Sequence, residues 1–495
     1  MKKLFFISGF WLLTLGVQAQ RVLTLDSCRA LALRNNKQLN ISKLNQNIAK
    51  NIRKSARTKY LPKVDAAGGY QYFNKEISIL NNGQKAALGH LGTNAMAGLS
   101  TNMSTLLTGL AQNGLISPQV AQDFGTILNQ MGGSLAQAGD QFGQGIADAF
   151  RTDNRNLWTG MIMLRQPIYM GGAIIASNKM ADIGEEIASN DLDLKTQTTL
   201  YNIDQTYWTI VSLRQKQKLA NSYRDLVNKL NTDVQKMIKE GVATRADGLK
   251  VAVKVNEADM QVTQVEDGLS LAQMLLCQIC GLPLEEKIIL ADEYKDTLDP
   301  SDTDLSHIND TSLNARPEIR MLQNAVDMSI QNTRLVQAAY LPHIALTGGY
   351  MISNPNVFNG FEKKFSGVWN VGIMVQVPVW NWFDGRYKVR ASKAATEVAI
   401  TQLSDLQEKI NLQISQSKFK VREAQKKFIM ATQNLKSADE NLRCANLGFK
   451  EGVMDITDVM AAQTAWQQAQ SQKIDAEVEV KLTQVNLLKA LGVLE

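Results

Sequence analysis

Cys277 and Cys280 are spaced Cys-x-x-Cys, the pattern of a dithiol that exchanges disulfides when it sits in a βαβ setting. Here the pair ends an apolar helical run, LLCQICGLP, with no βαβ context, so the better reading is two buried helix cysteines. The three histidines, His90, His307 and His343, are scattered, and no His/Cys/Asp set has the spacing of a metal site or a triad. The glycine-rich stretches GQGIAD and GGSLAQAG lack the preceding strand and the following Lys-Ser/Thr of a phosphate loop. No metal, cofactor or enzyme activity is expected. Two acids stand out instead, Asp247 and Asp458, each six residues after a glycine, Gly241 and Gly452. Thr244 and Asp455 lie three before them, so TRAD and DITD read as helix starts whose side chains satisfy orphan N–H groups.

These acids are placed by a chain that repeats itself. YLPKVDAAGGY at 60–70 recurs as YLPHIALTGGY at 340–350, and NNKQL (35–39) is matched by ARPEI (315–319) at the same offset of 280. Further on, WTGMIMLRQPIYMGG (158–172) matches WNVGIMVQVPVWNWFDG (369–385), and KEGVATRADGL (239–249) matches KEGVMDITDVM (450–460), both at an offset of 211. The sequence reads as a duplicated unit, 20–290 and 305–495, joined by a linker over 291–304. The change of offset marks an insertion of 69 residues in the first copy, within 74–157. Ala86 to Gln122 carries no Asp, Glu, Lys or Arg, which suits a loop or a partly packed helical element.

Each copy holds two strand-like segments of period two. Val64, Ala66, Tyr70 and Tyr72 alternate with Asp65, Ala67, Gly69 and Gln71, and Ile344, Leu346, Tyr350 and Ile352 alternate with Ala345, Thr347 and Gly349. In the other pair Trp158, Ile162 and Leu164 align with Trp369, Ile373 and Val375, while Thr159 and Arg165 align with Asn370 and Gln376. The rest is helical: Ala173 to Lys239 and Arg386 to Lys450 run without proline, on the order of 100 Å of rod each. Val421, Ala424, Phe428, Ala431, Leu435, Ala438, Leu442, Ala445 and Phe449 step by three and four, a coiled-coil seam. After each glycine breaker a second helix returns, to Gly281 or Gly492.

The first residues, MKKLFFISGFWLLTLGVQAQ, read as a secretory signal over 1–19, and the surroundings of Cys28 lack a lipoprotein cleavage site. Removing Lys2 and Lys3 takes two from a formal net charge of +6, too little on 495 residues to suggest nucleic acid. Four cysteines in an exported chain allow three full pairings, and the sequence does not choose among them. No later stretch is apolar for about 18 residues, as a membrane helix requires, but a membrane strand needs only about 9–11 alternating ones. A sheet in lipid must close, and about eight strands is the least that encloses packed side chains. Four strands per chain therefore ask for an oligomer.

YLPKVDAAGGY with YLPHIALTGGY, ARPEI, RQPIYMGG with VPVWNWFDG, and GFKEGVMDITDVMAAQTAWQQAQ together resemble the TolC family of bacterial outer-membrane efflux channels. The resemblance implies an α+β membrane protein: a homotrimer with a 12-stranded β-barrel among outer-membrane lipids, continuing into a periplasmic α-helical barrel. Its partners would be a periplasmic adaptor and an inner-membrane transporter, for drug efflux or type I secretion. The tips Gly241, Val242, Ala243, Thr244 and Gly452, Val453, Met454 match the adaptor-docking region. Asp458 matches an acid at the periplasmic gate, with Asp247 and Asp455 beside it in the same reading; each reads equally as a helix-start acid. Ala461 and Met454 depart from positions where the family carries a second acid and a gate-locking base. Thr159, Arg165, Asn370 and Gln376 are pore-lining candidates, with a salt bridge to a neighbouring strand as the alternative for Arg165. Tyr70, Tyr72, Trp158, Tyr169, Tyr350, Trp369, Trp380 and Trp382 suit a membrane-interface girdle, or else packing at strand ends. The competing class is a soluble periplasmic coiled-coil adaptor, which leaves the two-faced strands unexplained.

Overall fold

The computed structural model describes residues 21–75, 79–115, 117–150, 155–295, 316–359 and 362–494. The signal expected over 1–19, most of the linker expected over 291–304, and His307 lie outside them. In chain order the elements are β1 (Arg21–Leu23), α1 (Leu25–Asn35), α2 (Lys37–Arg57), β2 (Lys63–Tyr72), α3 (Asn82–Gly89), α4 (Leu91–Gln112), α5 (Pro118–Ala149) and β3 (Asn156–Met170). There follow α6 (Ala173–Lys239), α7 (Arg245–Cys280), β4 (Ile288–Leu290), α8 (Pro317–Ala338), β5 (His343–Asn354), β6 (Ser366–Gln376), α9 (Asp384–Lys450) and α10 (Ile456–Leu491). They fall into two compact units, one gathering β1, α1, α2, α6, α7, β4 and α8 to α10, the other β2, α3 to α5, β3, β5 and β6.

The helical unit is built from two long hairpins of equal dimensions. α6 and α9 each run 67 residues and α7 and α10 each run 36. They turn at Gly241 and Gly452 and stop at Gly281 and Gly492, all at φ between 70° and 77°, a conformation that costs a residue with a Cβ but not glycine. Along α9 the anticipated seam is the sheltered face, with Val421, Ala424, Ala438 and Ala445 fully buried and the five larger or intervening seam residues half-buried. The first hairpin buries Tyr207, Ile203, Ile210 and Val211 of α6 against Leu276, Cys277 and Cys280 of α7, with Leu23, Ile288 and Leu290 beneath.

Two features escape the sequence reading. α2 and α8 precede β2 and β5 at the same offset of 280, opening at Lys37 and Pro317; NNKQL and ARPEI were the only trace of them. β1 and β4 pair in parallel, Arg21 to Ile288 through Leu23 to Leu290, and three residues are too few to show a period.

The second unit is a four-stranded antiparallel sheet in the order β2-β3-β5-β6. The insertion between its first two strands is helical. Asn81 caps α3 in a reciprocal box with Gln84, and Ser117 caps α5 ahead of Pro118 at its first turn. α4 and α5 cross at Gly92, where an added Cβ would lie 2.1 Å from the Ala136 carbonyl oxygen, and the Asp140 carboxylate accepts from both the Thr93 amide and the Thr93 hydroxyl. Among the described residues no helix is long and apolar enough to cross a membrane.

Candidate functional site

The sheet register sorts its side chains into two chemically distinct faces, because directly paired residues share a face in a pleated sheet. Lys63, Arg165, Thr347 and Gly372 form one row, and Asp65, Met163, Gly349 and Asn370 form the next. Gly69, Thr159, Ser353 and Ser366 continue the same face, and Gln376 joins it opposite His343. All four pore-lining candidates, drawn from two strands, are thus brought together. Arg165, Asp65, Asn370 and Phe358 help line a depression of about 630 Å³. Among the described residues no carboxylate pairs with Arg165.

The opposite face is apolar. Its rows are Val64, Leu164, Gly348 and Val371, then Ala66, Ile162, Tyr350 and Trp369. Tyr70 pairs with Trp158, their ring centroids 4.5 Å apart, and the Tyr70 hydroxyl donates to Asn156 Oδ1 at 2.7 Å. Tyr70, Tyr72 and Trp158 therefore cluster on one face at the end of the sheet that carries the insertion, and Tyr350 and Trp369 stand further in on the same face, in the row of Ile162. A bulge at Ile168 reverses parity, so that Tyr169 pairs with Ile344 on the apolar face instead of following Arg165. Trp380 lies beyond β6, four residues past Gln376, and is exposed, as is Trp382. These apolar side chains are open to solvent in the single chain: Trp369 is 74% exposed and Val371 68%. β2 and β6 each present an unpaired edge.

The hairpin tips share a backbone solution. The Val242 and Ala243 amides donate to the Met237 carbonyl at 2.8 and 3.3 Å, and the Val453 and Met454 amides donate to the Gly448 carbonyl at 2.9 and 3.2 Å. Side-chain volume is exchanged between the copies: Met237 goes with Ala243, whereas Gly448 makes room for Met454, whose Sδ lies 3.2 Å from where a Cβ would stand. The acids differ as well. The Asp247 carboxylate accepts from the Thr244 hydroxyl at 2.6 Å, from the Thr244 amide at 3.2 Å and from Lys250 at 3.3 Å. Those Thr244 bonds, followed by Lys250, hold Asp247 below the usual carboxylate range. In the second copy Asp455 caps α10 through the Ile456 amide at 2.6 Å, no reciprocal box forms, and Ala461 replaces Lys250. Asp458 is exposed, and among the described residues nothing is bonded to its side chain.

A family model described as outer membrane efflux protein matches residues 309–493. The match falls within the second half of the chain, 185 of its 495 residues, and makes that half similar to an outer membrane efflux domain. No curated protein matches the chain. Solved structures do: the outer membrane channel CmeC of Campylobacter jejuni (14% identity, TM-score 0.72, 95% of this chain and 86% of that one) and the outer membrane protein VceC of Vibrio cholerae (12%, 0.69, 94% and 96%). A third is the open state of the outer membrane channel MtrE of Neisseria gonorrhoeae (15%, 0.66, 95% and 89%). At such identities the likeness establishes the fold, and it does so over both halves. The matched segment contains α8, β5, β6, α9 and α10, and the first half contains the same succession in α2, β2, β3, α6 and α7. No cluster of three or more His, Cys, Asp or Glu able to hold a metal occurs among the described residues. The matching family is one of efflux, that is transport, proteins.

A carboxyl held below its unfolded value near pH 4 contributes stability that is fully present above that pH and is lost as pH falls through its lowered folded value. Amide protection at Asp247 and Gly248 is therefore expected to fall away in acid below about pH 4. Thr244→Val should already show the reduced protection at neutral pH and a flatter acid profile, measured by hydrogen exchange.

Proposed function

We propose that this protein is the outer-membrane exit duct of a tripartite efflux or type I secretion system: a homotrimer through which an inner-membrane transporter and its periplasmic adaptor pass substrate out of the cell. The observation that carries the reading is the two-faced four-stranded sheet with both edges unpaired. Unpaired edge groups cost several kcal/mol each in hydrocarbon, so such a sheet enters a bilayer only when neighbouring copies continue it. Three copies supply twelve strands, with the face of Arg165 and Asn370 turned to water and the face of Ile162 and Trp369 turned to lipid. Tyr70, Tyr72 and Trp158, gathered at one end, suit the lipid headgroup layer. Apolar residues also line α2 at three- and four-residue steps, Ile41, Leu44, Ile48 and Ile52, each more than half exposed in the single chain, as a helix awaiting sister helices would leave them. The helical unit belongs in the periplasm in this reading, with the tips at Val242 and Val453, 71% and 79% exposed, offered to the adaptor.

Fractionation with native mass measurement tests the proposal. A detergent-dependent trimer from the outer membrane supports it, and a monomer, or recovery in buffer-soluble periplasm, overturns it. For the gate, the two copies have divided the work: Asp247 is occupied in its cap, while Asp458 is free to act as a fixed negative charge. Three Asp458 carboxylates near the axis would attract multivalent cations. Asp458→Ala is expected to weaken block by such cations about tenfold or more in single-channel recordings, by loss of that local potential. Asp247→Ala is expected to leave block unchanged.

A further inference from the structure

We propose that Cys28 and Cys280 are joined by a disulfide in the exported protein. Cys28 of α1 and Cys277 and Cys280 of α7 are all fully buried in one core cluster, although 252 residues separate Cys28 from Cys280. The two thiols of the Cys-x-x-Cys pair point to different partners. Cys277 Sγ lies 3.7 Å from the Glu286 carbonyl oxygen, within its own helix-to-strand connection, whereas Cys280 Sγ lies 3.7 Å from the Cys28 carbonyl oxygen. The Cys280 thiol thus reaches the backbone of Cys28 itself, and interaction between the two thiols, with burial, raises Cys28 from the ordinary thiol range while the same interaction lowers Cys280. Cys444, on α9, is exposed and its thiol is turned to Glu440 Oε1 at 3.5 Å, outside this cluster. Of the pairings the composition allows, the fold brings together Cys28 with Cys280. The link would pin α1 to the end of α7, at the joint where β1 pairs with β4.

The chemistry is ordinary thiol–disulfide exchange, and it rests on the export that the duct reading requires. The Cys280 thiolate attacks a disulfide of an envelope thiol oxidant, forming a mixed disulfide and releasing one thiol of that oxidant. Cys28, losing its proton, then attacks the Cys280 sulfur and expels the second. Two cysteine thiols are oxidised, one oxidant disulfide is reduced to two thiols, and both protons end there. Because the pair is buried in the finished fold, exchange takes place while the exported chain is still closing its core.

The test is to lyse cells in the presence of a thiol-alkylating reagent without reductant, denature the protein in the same reagent, and map it by mass spectrometry. Alkylation of only Cys277 and Cys444, with a Cys28–Cys280 linked peptide lighter by two hydrogens, is the expected result. Cys277→Ser should keep the link, and Cys28→Ser should leave Cys280 fully alkylated. Four alkylated cysteines, or a link between Cys277 and Cys280 or to Cys444, overturns the proposal. The same material is scored for its compartment: four free thiols on an outer-membrane trimer sink the disulfide and leave the duct standing, whereas a linked pair recovered from soluble periplasm sinks the duct and leaves the disulfide.

Discussion

Ile162→Arg abolishes recovery of the oligomer from the outer membrane, whereas Met163→Arg, one residue further along β3, leaves it intact. This pair of outcomes is expected because the sheet reverses face at every step, and Ile162 lies in the row of Ala66, Tyr350 and Trp369 while Met163 lies in the row of Asp65, Gly349 and Asn370. An arginine on the lipid face near the middle of a barrel strand costs about 2–4 kcal/mol, and a trimer incurs it three times. That sum is comparable with the whole stability of a typical domain, roughly 5–15 kcal/mol. At position 163 the guanidinium would face water and sit directly opposite Asp65, a favourable cross-strand pair. Outer-membrane fractionation and native electrophoresis of the two variants read the difference. Equal loss in both, or equal tolerance, would mean that the two faces are not lipid and water.

Much of this architecture was legible because its periods are strict. The two-residue alternation of Val64 to Tyr72 and of Ile344 to Ile352 placed β2 and β5, the aligned segments from Trp158 and Trp369 placed β3 and β6, and the proline-free run from Ala173 to Lys239 is the helix α6 without a residue's difference. Duplication helped, since Thr159 and Arg165 could be set against Asn370 and Gln376 before any register was known. What stayed hidden depends on contacts that have no local period. The pairing of β1 with β4 is three residues long, and the choice of Cys280 as the neighbour of Cys28 is made by the folding of α1 onto α7. The unlike behaviour of Asp247 and Asp458 turns first on the cap, Thr244 against Asp455, and then on one position three residues along, Lys250 against Ala461. Both were visible as letters; only the geometry shows that Lys250 reaches the carboxylate. The bulge at Ile168 is likewise a single extra residue that moves Tyr169 to the apolar face, and alternation alone would have put it on the other.

Arg29→Met lowers stability by about 3–5 kcal/mol, the loss expected when a buried carboxylate is left without its partner. Asp204 on α6 is wholly buried, and Arg29 of α1 forks onto it, Nε donating to Oδ1 at 2.8 Å and a terminal nitrogen donating to Oδ2 at 2.5 Å. The same bonds raise Arg29 above its ordinary range. Arg29 is itself 22% exposed, so its loss strands the carboxylate and not the cation. A buried charge without its partner is what makes breaking such a pair expensive, since the desolvation of Asp204 persists after the attraction has gone. The double variant Arg29→Met, Asp204→Leu removes both charges and is expected to recover most of the loss, because an apolar pair of similar volume replaces an ion pair at little net cost. By contrast Arg443→Met, whose partner Glu440 is 60% exposed on α9, should leave the melting temperature unchanged, since water screens that pair already. Melting the detergent-solubilised protein for the three variants decides the matter: a loss in Arg29→Met that the double variant fails to recover would show that the side chain acts through its packing rather than through Asp204.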